Sequence, residues 1–276
     1  MSPHSSLSNT TTNSTPCSPP SLPYTRISAD SSSDLDHFIS IITDAFSVTP
    51  LTTAFIIDND GTAPLPRRIP RPRRERHFAQ GILDSAKSNA ELVHAGDWSA
   101  VALWEPPNFQ GKAFINSRTR PGPLLGEWRS RVKAAKARHL AEASSSTAST
   151  PSTASETNSA SDLETETLPS STKELPLRPF YHLSFLARNP SVPRVQGSLN
   201  AVISPYLERA RAEHVPAWLE ATSRQASKLY EHYGFRVVEE IVVGKGKVDS
   251  EGWPTPDDQG EGVTAWAMIY DSHLRE

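Results

Sequence analysis

Residues Phe180 to Phe235 constrain the fold of this chain more than any other stretch. The run reads as strand, loop, helix, strand and helix without interruption. Phe180–Ala187 is apolar and is bounded by Arg188-Asn-Pro190, where proline cannot extend a central strand. Pro193–Leu199 is a short turn-rich loop. A helical pattern runs from there to Ala212, and Pro216–Ala221 follows as a strand. A second helical pattern, Arg224–Tyr233, closes on Gly234-Phe235. Strands separated by helical stretches bury both faces of a sheet and need a substantial core.

The first of these helices can be read residue by residue. Leu199, Val202, Ile203, Tyr206, Leu207 and Ala210 recur at helical spacing and predict one buried face. Pro205 lies inside the helix and predicts a kink. Gly197 stands at the helix start, where a missing Cβ lets a ligand approach the backbone. The first-turn amides have no acceptor within the helix, so the position suits an anion such as a phosphate. Gly197 read alone is better taken as a simple turn.

The rest of the chain supplies a scaffold around that stretch. Residues 1–22 are mostly Ser, Thr, Pro and Asn and predict disorder, because they offer too little apolar surface to offset ordering entropy. Residues 143–173 have the same character and interrupt the fold as a disordered insertion, since strands precede and follow them. One domain is expected from residue 23 to 276. Tyr24–Ser28 reads as a first strand and Asp34–Phe46 as an amphipathic helix. Thr49-Pro50-Leu51 reads as its end, Thr53–Ile57 as a short apolar segment, and Asp58–Gly61 as a turn. The Pro/Arg tract 64–74 reads as an extended connection, followed by a helix over Glu75–Ala90. Glu91–Ala95 and Trp98–Trp104 predict an antiparallel hairpin, and Leu125–Leu140 a basic helix. Phe235–Gly244 and Val263–Tyr270 predict a final hairpin with a long tip over 244–262.

The net charge of −3 over 276 residues gives no footprint for nucleic acid or an anionic membrane surface. Cys17 is the single cysteine, so a disulfide framework or cysteine-based zinc site is not expected, and cytoplasmic placement follows as the default, with the Arg-rich tract leaving the nucleus open. No apolar run reaches the roughly 18 residues of a membrane span. His94, His214 and His232 lack metal-ligand spacing with carboxylates, and no metal is expected.

The central run resembles the GNAT superfamily of acetyl-coenzyme A-dependent N-acetyltransferases, in wording close to a divergent fungal branch. The family's pyrophosphate loop, Q/R-x-x-G-x-G/A, is similar to Arg194-Val195-Gln196-Gly197-Ser198-Leu199, with Leu199 replacing a small residue. A second family element, N-x-x-A-x-x-x-Y-x-x-x-G-F, resembles Ser223 through Phe235, with Ser223 for the Asn and with Ala226, Tyr230 and Gly234 in place. The ordered elements cover most of 24–107 and 178–270. The resemblance implies an α+β fold in α/β/α layers: a mixed, mostly antiparallel sheet with helices on both faces and splayed fourth and fifth strands.

It implies acetyl-CoA as co-substrate, without metal, and a small-molecule primary amine as acceptor. Phe185, Leu186 and Ala187 would offer strand-edge backbone groups to the pantetheine, and Arg194 to Leu199 would offer amides to the pyrophosphate. Ser223, Ala226 and Tyr230 complete the implied coenzyme surface. Tyr230 matches the family's tyrosine near the sulfur and is the candidate acid, and with Leu229 on an amphipathic helix it reads equally as a core residue. His182, Glu220 and Glu105 are candidate bases, although each taken alone reads better as structural. Trp98, Trp104, Trp253 and Trp266 are candidates for an acceptor pocket, with core the favoured place for Trp104 and Trp266. Leu199, Ser223 and the unassigned base leave a second reading open: a catalytically inactive coenzyme-binding or protein-interaction module on the same fold.

Overall fold

A computed structural model of the protein describes residues 22–60, 67–111, 121–142, 176–256 and 258–275. The expected disordered tracts, 1–22 and 143–173, lie outside these apart from residue 22. Seven strands form one sheet: β1 (Tyr24–Arg26), β2 (Glu91–Ala95), β3 (Ala100–Glu105), β4 (Tyr181–Arg188), β5 (Ala217–Ala221), β6 (Arg236–Val243) and β7 (Val263–Tyr270). Their order is β1-β2-β3-β4-β5-β7-β6, and every pairing is antiparallel except β4 with β5. This is the expected mixed, mostly antiparallel sheet.

Six helices cover it: α1 (Ser32–Ala45), α2 (Pro50–Asp60), α3 (Arg71–Lys87), α4 (Pro123–Leu140), α5 (Ser198–Ala212) and α6 (Arg224–His232). Side-chain alternation along the strands assigns the layers. Val93, Ala102, Trp104, Leu183 and Leu219 pack on α5 and α6. Leu92, Leu103 and Phe185 face the other way, onto α1 and α3, while Trp218, Ala265 and Ile269 meet α2 and α4. Among the described residues, no single helix is long and apolar enough to cross a membrane.

The whole anticipated stripe of α5, from Leu199 to Ala210, is buried. The helix runs continuously through Pro205. A clamp fixes its second half: Glu91 of β2 accepts from the Tyr206 hydroxyl at 2.9 Å and from both terminal nitrogens of Arg209 at 2.9 and 3.2 Å.

Two expectations fail. Residues Pro50–Asp60 form one helix, α2, rather than an apolar segment and a turn. Thr49 receives the Thr53 N–H at 3.0 Å and starts it. Leu51, Ala54 and Phe55 pack toward α4, whereas Ile56 and Ile57 pack on Ile69 and Trp253. A helix buried on opposing sides carries no amphipathic period. The Pro/Arg tract is likewise not extended to residue 74: α3 begins at Arg71, after Pro70. Pro72 falls in the first turn, where a missing N–H costs no helical hydrogen bond.

The parallel β4–β5 pairing covers only Tyr181–Leu183 against Ala217–Leu219. Beyond it β4 continues beside β3, and β5 beside β7, as far as Arg188 and Ala221. Leu103 faces Phe185 and Trp104 faces Leu183, so Ser184 is the extra residue of a β-bulge. A bulge bends its strand and ends regular pairing. The sheet therefore forks between β4 and β5, at Ser184 and Glu220.

Leu199 belongs to the α5 core face and is 7% exposed. Leu199→Ala should therefore cost about 2–5 kcal/mol of stability, as buried leucine truncations do. A lowered urea midpoint at unchanged m-value is the expected result; an unchanged midpoint would show that the side chain does not support the core.

Candidate active site

Three carboxylate and imidazole side chains meet at the fork. Glu105 ends β3, His182 lies on β4 and Glu220 on β5, and strand alternation turns all three toward the α1–α4 layer. His182 Nδ1 lies 2.8 Å from Glu105 Oε2, and its Nε2 lies 3.0 Å from Glu220 Oε2. The bulge residue Ser184 donates its hydroxyl to Glu105 Oε1 at 2.7 Å. Trp218 donates its indole N–H to Glu220 Oε1 at 2.6 Å. Lys136, from α4, places its ammonium 3.7 Å from Glu220 and 5.3 Å from the centre of the Phe180 ring.

His182 and Glu105 are each 4% exposed. Burial alone would discharge them, so charge must be met by charge. Burial pushes the His182 pKa down and Lys136 adds to that push. The carboxylates of Glu220 and Glu105 outweigh both and hold it above its ordinary value. Burial works to raise the Glu220 pKa, but Lys136, His182 and the Trp218 hydrogen bond bring it down to about 2. Glu105 is lowered by the same balance, with His182 and Ser184 overcoming burial. The two carboxylates thus favour the protonated imidazole, which can donate to both.

The cluster opens on a pocket of about 170 Å³ that passes through the fork. His182, Ser184 and Glu220 form its polar floor, and Phe185 and Leu186 continue that wall along β4. Ala226 and Tyr230 of α6 line it from one layer. Helices α1 to α4 and their ends line it from the other, through Phe46, Leu51, Phe55, Phe78, Leu125 and Trp128. Phe185 meets Phe46 and Phe78 edge-on, with ring centres 5.5 and 5.8 Å apart. The Tyr230 hydroxyl has no hydrogen-bond partner among the described residues, and burial raises its pKa, so it stays protonated.

The second feature is the loop before α5. Gly197 has φ +81°, a left-handed conformation that glycine adopts without penalty. A Cβ there would meet nothing nearer than Leu22 Cβ at 3.9 Å, so the approach to the backbone is open. Leu199 turns into the core and does not crowd this approach. Among the described residues, the amides of Gln196, Gly197, Leu199 and Asn200 have no backbone acceptor. The amides of Val195 and Ser198 are already engaged: Val195 donates to Ser99 Oγ at 2.9 Å and Ser198 to the Val195 carbonyl at 3.2 Å. Arg194 is exposed beside the loop.

The three candidate bases are thus brought together, with Tyr230 across the same pocket. Ala187 is buried against α1 and α3 and is not part of the pocket lining. Ser223 caps α6 by accepting the Ala226 N–H at 3.1 Å, so its hydroxyl has a local structural partner. The tryptophan candidates are not at the pocket. Trp104 is fully buried and stacked on Tyr206, with ring centres 4.7 Å apart. Trp98 stacks on His94 at 4.0 Å, and Trp253 packs with Ile56, Ile57 and Ile69. Trp266 donates to Glu240. The tryptophan that lines the pocket is Trp128, and with Lys136 it was missed. The basic α4 sequence marks both on a helix, but nothing local assigns them to a fork on distant strands.

Among protein-family models, none matches the chain. A putative increased recombination centers protein 11 of Saccharomyces cerevisiae is 35% identical over 91 residues, 33% of this chain and 57% of that protein's length. The uncharacterized Saccharomyces cerevisiae protein YDR391C is 25% identical over 226 residues, 82% of this chain and 79% of that one. The match thus spans little more than half of the first relative. Among solved structures, the C-terminal condensation domain of Ebony, in complex with beta-alanyl-dopamine, superposes with a TM-score of 0.51 at 11% identity, covering 90% of this chain and 97% of that one. A mosquito arylalkylamine N-acetyltransferase like 5b gives 0.48 at 12% identity, covering 90% and 99%.

The opposed shifts of His182 and Glu220 fix how the cluster's stability depends on pH. Glu220, lowered to about 2, contributes stability that is present above its unfolded value of about 4.3 and lost as pH falls toward its folded value. His182, raised, contributes stability that is present below about 6.5 and lost as pH rises through its folded value. The gap in denaturation midpoint between wild type and His182→Gln should peak between about pH 4.3 and 6.5 and narrow on both sides. Near the peak it should correspond to about 3–5 kcal/mol, the cost of removing one partner from a buried charge cluster. A pH-independent gap would rule out the imidazolium.

Proposed function

We propose that this chain, which has the fold of the GNAT superfamily, is an N-acetyltransferase that moves an acetyl group from acetyl-CoA to a primary amine of a small molecule. The observation that carries the proposal is the hydrogen-bonded Glu105–His182–Glu220 cluster at the head of a pocket whose opposite wall holds Tyr230. A proton acceptor and a proton donor face one space, which is what acyl transfer to an amine needs.

The loop before α5 suits the coenzyme's pyrophosphate, through the free amides of Gln196, Gly197, Leu199 and Asn200 and the positive end of the helix dipole. The pantetheine would enter the fork beside Phe185 and Leu186, where β4 has no neighbouring strand on the β5 side. The thioester then lies between Tyr230 and the cluster, with the amine on the α1–α4 side. Backbone N–H groups of the unpaired β4 edge are the candidate donors to the developing oxyanion.

The amine's nitrogen attacks the thioester carbon, the C–N bond forms and the C–S bond breaks. In the active protonation state His182 is neutral, with Nδ1–H donating to Glu105. The amine's proton passes to Nε2, directly or by way of the Glu220 carboxylate. Tyr230 donates its hydroxyl proton to the departing thiolate. Because His182 is held above its ordinary pKa, its base form is populated at higher pH than that of a free imidazole.

Calorimetric titration with acetyl-CoA is the first test, with Gly197→Trp as the blocked loop. The open space at Gly197 makes that substitution tolerable to the fold except for roughly 1–2 kcal/mol of left-handed backbone strain. Binding by the wild type and its loss in the variant are expected. Thiol release on adding a primary amine should follow, with kcat reduced about 10²–10⁴-fold in His182→Gln. In Glu220→Gln, the acid limb of the kcat–pH profile should move to lower pH, since a carboxylate that raises the imidazole pKa is gone. Coenzyme binding without thiol release for any amine would instead favour the inactive module.

A further inference from the structure

Given the transferase reading above, on which this rests, we infer that the acceptor is a free apolar monoamine, no larger than about one ring or six carbons, that carries no charge beyond its amine. The pocket has its carboxylate at one end only. His182, Ser184 and Glu220 occupy the fork, and the facing wall from α1 to α4 is built of Phe46, Leu51, Phe55, Phe78, Leu125 and Trp128. Thr52 and His77 are the other polar side chains on that wall among the described residues, and neither is an anion at neutral pH. No arginine or lysine lines the pocket among the described residues, and Glu220 is the single lining carboxylate.

This arrangement discriminates. A polyamine would place a second ammonium against aromatic rings with no carboxylate to receive it. A free amino acid would place its carboxylate there with no cation to receive it. The carboxylate would be desolvated without compensation and the ammonium with only the partial compensation of the ring faces, so each costs more than an apolar group of equal size. An apolar body, by contrast, gains by leaving water. The volume sets an upper limit: the pocket's space of about 170 Å³ also receives the thioester end of the coenzyme, so the acceptor's body is no larger than the single ring that an apolar cavity of roughly 150 Å³ takes. Phe46 and Phe78 on one side and Phe55 and Trp128, 6.2 Å apart, on the other offer edges and faces to such a ring.

The test is a comparison of kcat/KM for thiol release by the full chain with acetyl-CoA. 2-Phenylethylamine and cyclohexylmethylamine are set against putrescine, spermidine, free lysine and a lysine-containing peptide. The apolar monoamines should lead by about tenfold or more, the range one to two methylenes of fit already supplies. Trp128→Ala should lower kcat/KM for 2-phenylethylamine by about 10–100-fold while leaving the KM for acetyl-CoA unchanged. Because Trp128 also supports the core, Thr52→Asp is the second variant: a carboxylate on the apolar wall should raise putrescine relative to 2-phenylethylamine. Preferred turnover of a polyamine, lysine or the peptide by the wild type would overturn this inference and leave the transferase intact. No turnover of any amine by a chain that binds acetyl-CoA would overturn the transferase reading and this inference with it.

Discussion

The early end of pairing between β4 and β5 organises the rest of the molecule. Three residue pairs hold the two strands, and then each follows a different neighbour. Backbone groups left unpaired inside a protein are costly unless something else engages them. The fork is therefore held by side chains. Glu105, His182 and Glu220 come from three adjacent strands and join them through one imidazole at the level where backbone bonds stop. The bulge at Ser184 serves both ends: it lets β4 bend away from β5, and its hydroxyl secures Glu105. The geometry that opens the sheet thus also fixes the charged groups that face the opening.

Charges buried at a fork are poor stabilisers by themselves, because desolvation takes back most of what their attraction gives. Here two carboxylates are balanced by an imidazolium and an ammonium, and Ser184 and Trp218 satisfy further carboxylate oxygens. An apolar substitute of the same volume would close the sheet at less cost. Retention of an ionic set in this place has its best explanation in chemistry performed at the opening. In the proposed transferase the neutral imidazole would accept the proton that the amine loses, and the carboxylates beside it would set the pH at which it is free to do so. Tyr230, alone among apolar neighbours and held protonated by burial, has the complementary property on the other wall.

Much of the scaffold was legible because it obeys periodic rules. The α5 stripe and the two hairpins leave a repeating trace in the sequence. What escaped did so for definite reasons. Helix α2 is apolar on opposing sides because α4 covers one and Trp253 with Ile69 covers the other, so periodicity vanished. The start of α3 was hidden by Pro72, which breaks helices everywhere except in the turn where it sits. For the site, His182, Glu220 and Glu105 could each be picked out by residue type and strand position, but each read as structural when taken singly. Their meaning lies in register: Glu105 pairs with His182 across β3 and β4, and His182 opposes Trp218, two residues before Glu220. Strand register between distant segments has no local signature. Trp128 and Lys136 escaped for the same reason, since only packing brings α4 over the fork.

Leu199 shows how a motif mismatch should be weighed. Judged as a letter in a glycine-rich pattern, it argues against phosphate binding, because a side chain stands where a small residue is customary. Judged as the second residue of an amphipathic helix, its side chain must follow Val202 and Ile203 into the core, and it does. The group that matters to an anion is its amide, which has no acceptor among the described residues whatever the side chain is. Gly197 is different, since its left-handed φ and open Cβ position are requirements of the backbone itself. A loop that binds through N–H groups constrains conformation at one position and side-chain direction at the next. Substitutions that respect those two conditions leave the loop's unpaired amides in place.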